Sequence, residues 1–192
     1  MFDIFGSLFL LAVLSPFFLI IALLIKLDSK GEVFFRQTRV THYGREFRIL
    51  KFRTMVSNAE ELGSQITGDN DTRVTRVGSK LRACRLDEIP QLINILLGDM
   101  TFVGTRPEVP RFVAAYTDEM YATLLMPAGL TNEACIMYKD EAKILADSQD
   151  IDKAYIELVL PKKMEIDLQS FATFSLATDF KILAKTLFAV IR

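Results

Sequence analysis

From Ile4 to Ile25 the chain reads IFGSLFLLAVLSPFFLIIALLI without one charged side chain. At roughly 1.5 Å per residue, a helix of that length crosses a hydrocarbon core of about 30 Å. A cleaved signal peptide would need a basic start and a small-residue cleavage site, whereas Asp3 precedes this run and KLDSKGEV follows it. The segment therefore belongs in lipid. At its centre stands Ser15-Pro16. Proline removes one backbone donor and crowds the preceding turn, so the helix is expected to kink or break there. In hydrocarbon the freed carbonyl needs a partner, for which the Ser15 hydroxyl is a candidate. Two geometries stay open, a kinked spanning helix and one that turns back to the face it entered. In both, Lys26, Lys30, Arg36 and Arg39 on the C-terminal flank put the rest of the chain on the cytoplasmic side.

The 192 residues suffice for one domain with its own core, giving an expected division into a membrane helix, 1–27, and a cytoplasmic catalytic domain, 28–192. The formal charge of −1 hides an asymmetry: Lys26 to Arg85 holds 13 Lys/Arg against 7 Asp/Glu, and Leu86 to Arg192 holds 10 against 16. A basic front suits nucleic acid, anionic lipid headgroups or a phosphorylated small substrate. No recognition-helix, RNP or finger pattern accompanies it, so nucleic acid is set aside. Cys84, Cys135 and the lone His42 give neither a disulfide framework nor zinc-ligand spacing, and two cysteines suit a reducing cytosol.

Val33 to Val40 and Glu46 to Arg53 are aromatic- and arginine-rich runs separated by THYG, which predicts a hairpin with Gly44 in its turn. A short helix over Ser57 to Leu62 is expected from the capping-box spacing of Ser57 and Glu60, then a loop over Gly63 to Thr75. Further helices are expected at Ser79 to Arg85, Pro90 to Leu97, Val109 to Tyr116, Asp118 to Leu125 and Asp152 to about Gln169, the last interrupted at Pro161. Leu176 to Ile191 sets Leu176, Phe180, Leu183, Leu187, Phe188 and Ile191 against Lys181, Lys185 and Arg192, a basic amphipathic helix for a core face or a bilayer surface.

Asp87-Glu88 precedes Pro90, which favours the first turn of a helix, where unpaired N–H groups welcome negative charge. Capping explains one carboxylate. Two of them, among Arg73, Arg76, Lys80, Arg82, Arg85 and Arg106, suit a divalent metal with a phosphorylated ligand. The competing use of these cations is a solvated helix face or lipid headgroups. Lys51 and Arg53 alternate about Phe52 on a predicted strand, so both face one side as a candidate phosphate clamp.

These features together resemble the bacterial sugar transferases, the monotopic phosphoglycosyl transferases. The resemblance runs in order through the Ser15-Pro16 anchor, VFFRQTRV at Val33 to Val40, FRILKFRTM at Phe47 to Met55, TRVTRVGSKLR at Thr72 to Arg82 and LDEIPQLINILLGDM at Leu86 to Met100. VGTRPEV at Val103 to Val109 and SLATDFKILAKT at Ser175 to Thr186 complete it. It implies an α+β fold: a small, mostly helical membrane-associated domain with a β-hairpin, an N-terminal re-entrant membrane helix broken at Ser15-Pro16, and C-terminal amphipathic helices. The implied reaction moves a sugar-1-phosphate from a UDP-sugar to polyprenol phosphate such as undecaprenyl phosphate. It takes place at the cytoplasmic face of the bacterial inner membrane, with Mg²⁺ and release of UMP, as the first membrane step of a polysaccharide or other glycoconjugate.

By the family pattern Asp87 is the nucleophile that forms an aspartyl-phosphosugar, and Glu88 a metal ligand or acid/base group, with Asp87 and Glu88 together holding the metal. Arg53 and Arg106 match basic positions of the family, with Arg106, Pro107 and Glu108 implied against the nucleotide, and Lys51 and Arg85 join them as candidate substrate-binding residues. A carboxylate beside arginines is expected to stay ionised at neutral pH. Implied partners are the lipid bilayer and downstream glycosyltransferases. Two departures stand out. The family's basic pair before Phe2-Asp3 is missing, so weaker interfacial anchoring is expected there. In place of its Pro-Gly-x-Thr-Gly turn stands MPAGLTNEACIMYKDE, Met126 to Glu141, with Leu160 to Lys163 as a branch feature. In that region Lys139-Asp140-Glu141 is either a charged turn before a helix or a sugar or nucleotide contact. The rival functions are a membrane-bound nucleotide-sugar or lipid sensor without turnover, and a simple glycosyltransferase that releases UDP.

Overall fold

The computed structural model describes residues 2–59, 62, 71–145, 148 and 150–191. The chain divides into two compact units, Met1–Gln37 with Arg48–Gly98 and Thr38–Phe47 with Asp99–Arg192.

In the first unit, α1 (Phe2–Asp28) is assigned as one helix through Pro16, about 40 Å long. The carbonyl that Pro16 leaves without a donor is that of Ala12, and the Ser15 hydroxyl donates to it at 2.9 Å, as expected. Phe5, Phe9, Phe17, Leu19 and Leu23 stand exposed, while Ile21 and Ile25 are buried. Those two isoleucines pack with Phe52 and Leu81, and Phe18, Val33, Phe34 and Val77 close the cluster. Phe18 meets the Phe52 ring edge-on and Phe34 stacks on it. The last turns of the lipid-type helix thus form one side of this unit's core.

β1 (Phe34–Val40) and β2 (Glu46–Phe52) form the predicted hairpin, with a tight His42–Gly44 turn in which Tyr43 and Gly44 both take positive φ. The hairpin belongs to both units. Asn94 secures the first-unit part of β2, donating to the Arg48 carbonyl and accepting from the Leu50 N–H, both at 2.9 Å. It stands on α3 (Gln91–Leu96), within the predicted Pro90 to Leu97. The helix expected over Ser79 to Arg85 begins earlier, as α2 (Arg76–Ala83). Thr75 caps it by accepting from the Gly78 N–H, and Asp28 accepts from the Val77 N–H. Residues 57–59 form a turn rather than the expected helix, and Ser57 bonds the Lys30 carbonyl instead of capping. Glu60 and Gly63 to Asn70, on which the capping box and most of the loop depend, lie outside the described residues.

The second unit holds a parallel pair that sequence reasoning did not predict, β3 (Met100–Val103) and β4 (Ala128–Thr131), in register Met100↔Ala128 and Val103↔Thr131. Four residues are too few to display a period of two, and Ala-Gly-Leu-Thr lacks a β-branched run. The predicted helices here are shorter or altered: α4 (Pro110–Val113), then α5 (Asp118–Tyr121) passing into a 3₁₀ turn over Ala122–Leu125. An unpredicted helix follows, α6 (Glu133–Met137), capped by Asn132, and then α7 (Glu141–Leu145), where a helix was expected after the charged turn. Next come α8 (Ile151–Ala154), a π turn at Tyr155–Val159, α9 (Leu160–Phe171) and α10 (Leu176–Ile191). Pro161 sits in the first turn of α9, where its missing N–H costs no helical bond, and the irregularity falls just before it. Over its whole predicted span α10 forms, yet Leu176, Phe180, Leu187 and Phe188 are exposed. Ile182 is buried and the Thr186 hydroxyl bonds that of Thr131, so this unit's core takes a different face from the apolar stripe.

Candidate active site

The Asp87 turn is shaped by its approach. After α2, Arg85 adopts left-handed backbone angles, φ 53° and ψ 19°, and reverses the chain into a 3₁₀ turn over Leu86–Glu88. A non-glycine residue in that region costs about 1–2 kcal/mol, strain that the surrounding fold must hold. The reversal turns Arg85 and Leu86 outward and Asp87 inward, to 8% exposure. The two carboxylates therefore lie in their own turn before Pro90, and not in the first turn of α3 as expected.

Asp87 Oδ1 is buried without a hydrogen-bond partner, and so is the Gln91 amide nitrogen one turn later. Glu88 differs: its Oε1 receives the Lys51 ammonium at 2.7 Å. Burial pushes the Asp87 carboxyl above its ordinary range, with the Glu88 charge adding to the rise and Lys51 and Arg82 opposing it. Desolvation therefore outweighs the cations at this carboxylate.

Lys51 and Arg53 do not form a clamp. Lys51 faces Glu88, whereas Arg53, one residue beyond β2, turns to the end of α1. Its guanidinium donates to the Ser29 and Lys30 carbonyls and to the Ser29 and Ser57 hydroxyls. Arg73, counted among the cations leading to the site, is held by Asp71 through both carboxylate oxygens and by the Ala59 carbonyl.

In the second unit, Arg106-Pro107-Glu108 follows a close backbone crossing. A Cβ on Gly129 would lie 2.2 Å from the Gly104 nitrogen. The Gly104 N–H donates to the Thr131 carbonyl at 3.0 Å, and the Gly129 N–H to that of Thr105 at 2.8 Å. Arg39 donates to the Pro107 carbonyl and the Val40 N–H to that of Glu108. Glu108, expected against a nucleotide, is 5% exposed, accepts from the Tyr155 hydroxyl at 2.5 Å and lies 3.8 Å from Arg39.

Around it stands a buried polar cluster. Lys163 donates to Glu141 at 3.0 Å and to the Tyr155 oxygen at 3.3 Å, so Glu141, at the start of α7, is in an ion pair. The Asn132 amide donates to Asp167 at 2.6 Å. Burial pushes Asp167 up to about 7 against the pull of Lys163, and Glu108 adds to the rise. Burial opposes the Lys163 charge, yet Glu108 and Glu141 outweigh it and hold its pKa above the ordinary value. The Tyr155 phenol is pushed up by burial and by Glu108. Tyr155, Asn132 and Asp167 escaped sequence reasoning, which has no local signal for a polar cluster assembled from separate segments.

Among the described residues no three His, Cys, Asp or Glu side chains gather as a metal site. The adjacent pair Asp87-Glu88, with one buried unpartnered oxygen, suits an ion that draws its other ligands from phosphate and water.

Comparison with known proteins agrees in direction. The chain is 39% identical to the UDP-N-acetylgalactosamine-undecaprenyl-phosphate N-acetylgalactosaminephosphotransferase of Aeromonas hydrophila, over 96% of this chain and 41% of that protein. It is 35% identical to the UDP-glucose:undecaprenyl-phosphate glucose-1-phosphate transferase of Escherichia coli (strain K12), over 97% of this chain and 38% of that protein. Against the exopolysaccharide production protein ExoY of Rhizobium meliloti (strain 1021), identity is 32% over 98% of this chain and 83% of that protein. The chain thus spans less than half the length of the first two relatives and most of the third. The sequence pattern described as bacterial sugar transferase matches residues 1–192, and the chain belongs to that family.

Proposed function

We propose that this chain is a phosphoglycosyl transferase that moves a sugar-1-phosphate from a UDP-sugar to polyprenol phosphate and releases UMP. The observation that carries the reading is Asp87, a buried carboxylate with an unpartnered oxygen beside the Lys51–Glu88 pair. The names of the Aeromonas and Escherichia relatives support the substrate class.

In the first step an Asp87 oxygen bonds to the phosphorus that bears the sugar. The bond from that phosphorus to the bridging oxygen breaks, and UMP leaves with the oxygen and its electron pair. In the second, a phosphate oxygen of the polyprenol phosphate attacks the same phosphorus and the Asp87 carboxylate is released, leaving a polyprenyl diphosphate sugar. Asp87 must be ionised to begin, so its raised pKa sets an acid limit to the rate. Lys51 keeps Glu88 in place and lowers the cost of the Asp87 charge. Asp87 and Glu88 would hold Mg²⁺, which when bound supplies neutralisation of phosphate charge. Arg106 and Pro107 serve the nucleotide, while Glu108 is engaged by Tyr155 and Arg39.

Attachment to the bacterial inner membrane is supported by the exposed apolar side chains of α1 and the exposed stripe of α10. The choice of its cytoplasmic face rests on the basic flank Lys26, Lys30, Arg36 and Arg39. In this reading α1 bends at Ser15-Pro16 and returns to the face it entered, and α10 lies along the surface. The product then passes to downstream glycosyltransferases. The test is nucleotide release in nanodiscs with Mg²⁺, polyprenol phosphate and a panel of UDP-sugars, with Asp87→Asn as control. Acceptor-dependent UMP that is lost in the variant is expected. UDP as the product would establish simple glycosyl transfer instead, and full turnover by Asp87→Asn would refute the covalent mechanism.

A further inference from the structure

The end of α1 is gripped from two sides by charged groups that the transfer chemistry does not require. Beyond Asp28 the helix leaves the Ser29 and Lys30 carbonyls without helical donors. Arg53 supplies them, Nη2 to the Ser29 oxygen at 2.8 Å and Nη1 to the Lys30 oxygen at 2.6 Å. Ser57 completes the grip, accepting from Arg53 Nη1 at 3.2 Å and donating to the Lys30 carbonyl at 2.7 Å. Arg53 as a whole is 7% exposed. The guanidinium fits only because residue 31 is glycine: φ is +126°, and a Cβ there would fall 1.9 Å from Arg53 Nη1 and 2.3 Å from Ser57 Oγ. On the other side Asp28 accepts from the Val77 N–H at 2.9 Å, and this bond holds its carboxyl below the ordinary range.

The two grips lead to the two halves of the Asp87 site. Arg53 follows β2, which carries Lys51, and Asp28 caps α2, which runs through Arg85 into the Asp87 turn. A helix joined to its domain by a flexible linker would need neither contact.

We infer that Arg53, seated over Gly31, is a positioning residue that locks the exit of the membrane helix to the Asp87 site and so sets where a lipid-borne acceptor phosphate meets Asp87. The inference rests on the phosphosugar-transfer reading above. It separates the two half-reactions: the donor arrives from water and does not depend on the height of the site over the bilayer, whereas the polyprenol phosphate is confined to the lipid surface.

The experiment uses the full chain in nanodiscs with Gly31→Ala, which displaces the guanidinium without removing its charge, and Ser57→Ala as a milder variant. Exchange of labelled UMP into the UDP-sugar reads the donor half-reaction, and transfer to polyprenol phosphate reads the whole. Exchange within about twofold of wild type and transfer reduced roughly tenfold or more are expected for Gly31→Ala, with a smaller loss confined to transfer for Ser57→Ala. Equal losses in both reactions, or no loss in either, overturn the inference. A second readout is independent of turnover. A fluorophore on the exposed Cys84, in a Cys135→Ser background, reports depth by quenching from spin-labelled lipids. A depth shift in Gly31→Ala is expected, and unchanged depth overturns the positioning role. Absence of Asp87-dependent exchange in the wild type would instead count against phosphosugar transfer and leave the depth measurement to judge the Arg53–Gly31 contact.

Discussion

Replacing Asp87 by asparagine should end turnover and make the protein more stable. Oδ1 is buried with no donor, and a buried polar atom left unsatisfied costs roughly 1–3 kcal/mol. The amide occupies the same space without the charge but keeps part of that desolvation cost, leaving a net gain of about 1 kcal/mol. For a domain of this size that raises Tm by about 2–4 °C. The gain depends on pH. Burial raises the folded-state pKa of Asp87 above the unfolded value of 3.8, so the folded chain holds that proton more tightly. The wild type has this margin below the unfolded value and loses it as pH rises through the raised one. Its deficit against Asp87→Asn should therefore be largest in mildly alkaline buffer and close toward about pH 4. Thermal unfolding of both proteins in the same detergent, followed by helical circular dichroism across that range, measures it. A wild type equal to or more stable than the variant at alkaline pH, with a difference that does not change with pH, would refute the argument that desolvation dominates this site.

Lys51→Met removes a cation that favours the Asp87 charge, so the acid limb of the pH–rate profile should move to higher pH, with a stability loss of about 1–3 kcal/mol from the broken Glu88 pair. An unshifted limb would show that Lys51 does not act on Asp87. Gly129→Ala drives a methyl into the Gly104 backbone and should break the bonds at 2.8 and 3.0 Å across the crossing. A loss of about 2–4 kcal/mol, read as a lower denaturant midpoint with faster amide exchange in β3 and β4, is expected. Asp167, raised to about 7 by burial, gives stability that is full below the unfolded value of 3.8 and lost as pH rises toward 7. Asp167→Asn keeps an acceptor for the Asn132 amide and should flatten that part of the stability–pH curve.

What was legible in the sequence was local. An uncharged run marks α1, an interrupting proline calls for a hydroxyl on the carbonyl it frees, THYG between two aromatic runs marks the hairpin turn, and a helical period marks α10 over its whole length. In each case the signal and the structure it specifies lie within a few residues of one another. The Asp87-Glu88 pair was legible as a candidate for the same reason, being two carboxylates adjacent in the chain.

The tertiary structure decided what those groups meet. Strand alternation put Lys51 and Arg53 on one face, but contacts distant in the chain gave Lys51 to Glu88 and Arg53 to the end of α1. β3 and β4 are too short to carry a period, and their pairing is selected by two glycines that let backbones cross. The apolar stripe of α10 was readable while its outward orientation was not, because the buried face is set by what packs on it. The sign of the Asp87 shift belongs here too. Neighbouring arginines can be counted along the chain, but desolvation depends on how much water the folded chain excludes, and only the packing of α2, the Asp87 turn and α3 determines that.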